Sequence, residues 1–130
     1  SSRYWGDNPD QGCAYANAAD LDGKKVFVGW TVMQCRDGQV YTAPVGSYRS
    51  NDFGLYDMAG NVLEWTCTLY DPGYRSPVQS CEEPVGDAAF VSRGGSWNDE
   101  PRNVRSADRH RGRTDFQDYF QGVRLVRELP

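Results

Sequence analysis

The side chains with the clearest chemical potential lie on either side of a tight turn. Gly54-Leu55-Tyr56-Asp57-Met58-Ala59-Gly60-Asn61-Val62-Leu63-Glu64-Trp65-Thr66 carries two carboxylates, Asp57 and Glu64, flanking Gly60-Asn61. Gly and Asn both tolerate positive φ, so the pair marks a sharp reversal. A reversal there brings two carboxylates near free backbone carbonyls, the all-oxygen surrounding that calcium takes. The same residues read equally as a solvated Asp and a Glu on a strand edge. Other catalytic sets are thin. His110 is the only histidine, so an iron facial triad is excluded, and no nucleophile–base pair is evident.

The elements that must position these groups are short. Fourteen Gly and seven Pro favour loops over long helices, while four Trp, eight Tyr and five Phe supply large burial per residue. A chain of 130 residues makes a single domain over 1–130 with a modest core. Val62-Leu63-Glu64-Trp65-Thr66-Cys67 predicts a buried strand, Phe90-Val91-Ser92 a second, and 121–127 a last, alternating one. Val26–Met33 predicts a strand or a packed extended loop, and Val40–Val45 an extended, irregular edge because of Pro44. Residues 98–121 show no apolar periodicity, and His110 is expected on an exposed loop there. The stretch between Thr68 and Asp87 predicts a surface excursion.

The four cysteines, Cys13, Cys35, Cys67 and Cys81, lack C-x-x-C spacing. Their even number suggests two disulfides and an extracellular, cell-surface or periplasmic setting. Three connectivities are possible, and free buried thiols are the alternative; the sequential pairs Cys13–Cys35 and Cys67–Cys81 are favoured. Each closure contributes about 3 kcal/mol if unstrained. The net charge is −4 and divides unevenly: residues 1–92 carry 6 basic and 12 acidic groups, residues 93–130 carry 8 and 6. That balance argues against nucleic acid as a partner. No run approaches the ~20 apolar residues of a membrane span.

Gly-Leu-Tyr-Asp-Met-x-Gly-Asn-Val-x-Glu-Trp resembles the central motif of the formylglycine-generating enzyme (sulfatase-modifying factor) family. Arg93-Gly94-Gly95-Ser96-Trp97 and Gly122-Val123-Arg124-Leu125-Val126 resemble its later motifs, in the same order. The resemblance implies an α+β, C-type-lectin-like fold, loop-rich, with small twisted antiparallel sheets. It implies the C-terminal portion of such a domain, since full-length members have roughly as much chain again before this point. An N-terminal half or a second chain then becomes a candidate partner. It also implies one or two structural calcium sites. The first would use Asp57 and Glu64 with the Gly60 and Val62 carbonyls. The second would join the Asn17 side chain and Ala18 carbonyl to Asp37 and the Gln39 carbonyl.

Catalytic members of that family hold copper on a cysteine pair just beyond the Gly-Gly-Ser-aromatic motif. This chain has no cysteine after Cys81, so no copper is expected, because thiolates are the soft ligands Cu(I) needs. The expected function is therefore a non-catalytic ligand-binding module. Its recognition surface is residues 97–121: Trp97, Asn98, Asp99, Asp108, His110, Gly112, Arg113, Phe116, Asp118, Tyr119 and Phe120. Such residues offer large contact area with few rotors. Many relatives are Asn-rich there, and several of these residues lie within adenine changes of an Asn codon. That pattern resembles a variable protein diversified by a diversity-generating retroelement. The expected target is a protein or glycan on another cell or host. The alternatives are a formylglycine-generating type oxidoreductase and an accessory half-domain subunit. Arg105, Arg109, Arg111 and Arg124 are expected to hold loops by ion pairs.

Overall fold

The computed structural model describes residues 1–73, 81, 86 and 88–127. A 3-10 turn, Pro9–Ala14, comes first, with Pro9 opening it and the Asn8 side chain accepting from the Asp10 amide at 3.0 Å. A single helical turn, α1, spans Gly23–Val26. Four strands follow: β1 Leu63–Leu69, β2 Ala89–Arg93, β3 His110–Arg113 and β4 Gln121–Gly122. They form one sheet in the order β3-β2-β1-β4. β1 and β2 pair antiparallel with Trp65 opposite Ser92, β2 and β3 antiparallel with Phe90 opposite Gly112, and β1 and β4 parallel with Leu63 opposite Gln121. The sheet is therefore mixed: antiparallel across β3, β2 and β1, as expected, and parallel where the short β4 joins β1.

The core lies beside the sheet, in the loops. Ala16, Ala18, Met33, Ala59 and Val104 form it, with Tyr4, Trp5 and Cys35 packed against it. Three small alanines let backbones approach closely, so the loops are tied by main-chain hydrogen bonds. The turn at Gly60-Asn61 is the junction. The Gly60 amide donates to Gly94 O at 2.8 Å, the Asn61 amide to Asn17 O at 2.7 Å, and the Trp97 amide to Asn61 O at 2.9 Å. The buried Asn61 side chain accepts from the Ala43 amide at 2.9 Å and donates to Ala43 O at 3.1 Å. Asp57, Gly60 and Asn61 all have positive φ, at 54°, 76° and 66°. Both disulfides form as the sequential pairs, with Cα–Cα separations of 6.0 Å for Cys13–Cys35 and 4.6 Å for Cys67–Cys81.

Several sequence expectations need correction. Of the two expectations for Val26–Met33 the strand is absent: Val26 ends α1 and the rest is loop, buried at Val32 and Met33. The Asp20 carboxylate accepts from the Asp22 and Gly23 amides and turns the chain into α1, and Val28 is 80% exposed. β1 matches the expected strand, but only Leu63 in it is fully buried. β3 was not foreseen because His110, Arg111, Gly112 and Arg113 carry no apolar alternation. His110 thus sits on a strand, opposite Ser92. The expected last strand, 121–127, pairs only over Gln121–Gly122, and beyond it Val123, Leu125 and Val126 are exposed. Most of the expected excursion after Thr68, at 74–80, 82–85 and 87, lies outside the described residues.

Candidate functional site

Three places gather chemistry. The first is an aromatic bowl. The almost fully buried Trp97 ring is its floor. Around it stand Phe27 at 6.0 Å, Trp30 at 5.7 Å, Tyr41 at 5.2 Å and Tyr119 at 5.8 Å between ring centroids. Phe27 and Trp30 stack face to face at 4.1 Å. With Thr42 these rings line a cavity of about 500 Å³, within the usual range for small-ligand sites. The Gly94-Gly95 pair, with φ of 98° and 75°, delivers Trp97 here, and α1 delivers Phe27. Trp97 and Tyr119 were expected in the site; Phe27, Trp30 and Tyr41 were missed. The three-residue spacing of Phe27 and Trp30 after a capped turn was a usable signal. Tyr41 had none, because only the tertiary fold brings it near.

The second place is the turn expected to hold calcium. Asp57, Gly60, Val62 and Glu64 line one cavity of about 380 Å³. Asp57 Oδ2 accepts from the Gly46 amide at 2.6 Å, whereas its Oδ1 is buried with no hydrogen-bond partner. An orphaned carboxylate oxygen is costly unless a cation or donor meets it, so Asp57 fits a metal. Glu64 is differently placed. Its two oxygens accept from Arg124 at 2.7 and 2.8 Å, and the same guanidinium donates to the Tyr56 and Asp57 carbonyls. A cation here would share Glu64 with Arg124.

The third place differs from the expected second calcium set. Asp37 lies with Asp20 and Asp22, their ligand oxygens within 4.8 Å of one another. Asn17 instead donates its side-chain amide to Tyr41 O at 2.8 Å. Asp20, with 1% exposure, accepts from three backbone amides, those of Asp22, Gly23 and Asp37. Lys25 and Arg36 hold the Asp22 carboxyl down at about 2. Asp37 is pushed up to about 6, chiefly by burial, with the Asp20 and Asp22 charges adding to it. Its oxygens accept from the Gln39 amide at 2.7 Å and the Tyr48 hydroxyl at 3.0 Å. Asp20 was missed in the sequence because Asp20-Leu21-Asp22-Gly23 reads as an ordinary turn.

The expected recognition residues divide. Phe116, Tyr119 and Phe120 form a chain of rings with centroids 5.3 to 6.2 Å apart, continuing from Trp97 through Tyr119. Arg113 and Asp115 pair in the open at 3.2 Å, and the Asp118 carboxylate accepts from the Tyr119 amide. Others serve the scaffold. Asp99 accepts from the Ser96 amide at 2.8 Å, and the Asn98 side chain lies within hydrogen-bond reach of the Ser96 hydroxyl. Asp108 contacts both Arg105 and His110. Gly112 is a packing residue: a Cβ there would collide with the Trp65 ring. Among the arginines, Arg105 meets Asp108, Arg124 meets Glu64, and Arg109 lies over the Tyr70 ring at 5.1 Å while donating to Asp71 O.

A small curled mixed sheet, a core made by loops and an interlocked positive-φ turn define a C-type-lectin-like fold of the formylglycine-generating enzyme type. The chain belongs to the sulfatase-modifying factor enzyme 1-like domain family, which matches residues 1–129. It is 46% identical over 68 residues to the formylglycine-generating enzyme of Streptomyces coelicolor, covering 51% of this chain and 22% of that protein. It is 36% identical over 67 residues to the inactive C-alpha-formylglycine-generating enzyme 2 of Mus musculus, covering 51% and 18%. Among solved structures it is similar to PvdO from Pseudomonas aeruginosa, with a TM-score of 0.67 at 26% identity, covering 85% of this chain and 38% of that one. It is similar in fold to Treponema denticola variable protein 1, with a TM-score of 0.61 at 24% identity, covering 85% and 34%. The chain spans only 15% to 39% of the length of the curated relatives it matches.

Proposed function

We propose that this chain is a non-catalytic ligand-binding module whose contact face is residues 97–121 together with the aromatic bowl. The observation that carries this reading is the state of its sulfur: all four cysteines are joined in two disulfides and none is free. The Cu(I) chemistry that the family resemblance implies is built on a pair of thiolates, the soft ligands that ion favours, and this chain offers no free thiol to supply them. The family also contains a relative described as inactive. A floor held by disulfides and buried amides loses little entropy on binding, which suits it to present variable side chains. The target is a protein or glycan on another cell or host, and the setting is extracellular, cell-surface or periplasmic, in keeping with two disulfides. Diversification by a retroelement would leave a near-identical template repeat differing at adenines beside the gene; an intact locus without one removes that part. Selection from a displayed peptide library tests the binding face. Binders should be lost on joint Phe116→Ala and Tyr119→Ala replacement with the melt unchanged; binders indifferent to that pair would place recognition elsewhere.

Calcium, where bound, is structural, held at the turn by Asp57 and Glu64 with the Gly60 and Val62 carbonyls, and it neutralises charge and ties loops there. The orphaned Asp57 oxygen supports that site. Calcium should raise Tm over a chelated sample, and Asp57→Asn should remove most of the rise. An equal rise in that variant would argue against the site.

A second reading, in which another stretch of polypeptide packs on this chain, has its own support. Val45, Phe53, Leu125 and Val126 are each at least 87% exposed, apolar surface that a further stretch of polypeptide would cover. Light scattering beside a co-expressed N-terminal half checks this. A monodisperse monomer that ignores the added half would remove its support.

A further inference from the structure

Among the described residues the bowl is lined by five aromatic rings and Thr42, with no carboxylate, amide or cationic side chain. That composition restricts what it can hold. A sugar brings many hydroxyls, and the lining side chains offer only the Thr42, Tyr41 and Tyr119 hydroxyls and two indole N–H groups to meet them. A primary ammonium brings three N–H donors and finds no carboxylate here. A quaternary ammonium has no N–H at all. It sheds its weak hydration readily, and its attraction comes from the negative faces of rings, which is how aromatic cages work.

The ring arrangement meets that need. Trp97, the floor, is buried, so its outer face is fixed. Tyr41 stands at 65° to it and Tyr119 at 44°, so both rings are inclined to the Trp97 ring rather than stacked on it. The Phe27–Trp30 stack, with ring planes nearly parallel at 9°, closes another side as a unit. Charge agrees as well. The whole chain has a net charge of −4, which attracts a cation more than an anion over its surface as a whole. The cavity, at about 500 Å³, suits a small molecule better than a protein surface.

We infer that the bowl binds the trimethylammonium group of a small, choline-like molecule. This rests on the binding-module reading and names a ligand class for part of its face. The test titrates the purified chain with choline and, separately, with 3,3-dimethylbutan-1-ol, its neutral isostere, by calorimetry and tryptophan fluorescence. Choline should saturate one site and the isostere should bind at least about tenfold more weakly, as expected for a desolvated cation–π contact. Tyr41→Ala should weaken choline binding by a similar factor, while Tyr41→Phe, which keeps the ring, should retain it. The Tyr41 backbone carbonyl that anchors Asn17 survives both changes, so both variants should fold.

Equal binding of the isostere overturns the cation assignment while leaving the bowl a ligand site. Absence of choline binding overturns it outright. Binding seen only with phosphatidylcholine vesicles or a trimethyllysine peptide overturns the small-molecule assignment. Failure of the wider reading would instead appear as copper-dependent turnover of a peptide, an assay in which choline plays no part.

Discussion

Gly60→Ala is expected to be the most damaging single-methyl change in the chain. Two effects combine. An L side chain at a φ of 76° is strained by about 1 kcal/mol or more. The added Cβ would also run into the Asn17 backbone carbonyl, which cannot rotate away because it accepts from the Asn61 amide. Forced overpacking adds about 1–3 kcal/mol. The sum takes a large share of a small domain's stability, typically about 5–15 kcal/mol. The expected result is a Tm lower by roughly 10 °C or more, or no soluble protein. Gly46 is the control. Its φ is also 76°, but nothing lies within 4 Å of its would-be Cβ. Gly46→Ala should show the strain alone, a fall of a few degrees on the same scale. Equal effects in the two variants would mean that the Asn17 contact contributes nothing.

Asp20→Ala comes next. It strands three backbone amides, at 2.7, 3.0 and 2.7 Å from the lost carboxylate, in a place with 1% exposure. A buried unsatisfied donor costs about 1–3 kcal/mol, and water recovers part of that once the side chain is gone. A net loss of roughly 3–5 kcal/mol is expected by urea unfolding. Asp20→Asn keeps one acceptor oxygen and should lose about half as much. An Asp20→Ala protein as stable as the parent would show that the three amides are satisfied without it.

Both positions lie where the sequence was only partly legible. The central turn was readable because Gly60-Asn61 is a local signal: the residue types themselves carry the conformation. The disulfide pairs were readable because sequential closure is the simplest arrangement of four cysteines. β1 and β2 announced themselves through apolar runs. β3 could not, since its residues are polar and it is specified by pairing with β2 and by the Trp65 ring filling the space over Gly112. The bowl was half visible for a similar reason. Trp97 and Tyr119 lie in a stretch that draws attention by composition, whereas Phe27, Trp30 and Tyr41 reach it from distant turns. Asp37 was singled out in the sequence, whereas its neighbour Asp20, whose carboxylate accepts from the Asp37 amide, was hidden in a turn sequence. Arg124 was expected to form a framework ion pair and does so, but its partner is Glu64, one of the carboxylates reserved for calcium.

Sulfur locked in disulfides is the feature on which the non-catalytic function turns, and one measurement addresses it directly. The oxidised, purified chain is titrated anaerobically with Cu(I) against a competing chelator, then given oxygen and a cysteine-containing peptide, with product followed by mass. No tight copper uptake is expected, and no conversion of the peptide cysteine above the rate of free copper. Stoichiometric high-affinity Cu(I) binding together with enzyme-dependent oxidation of the peptide would contradict it.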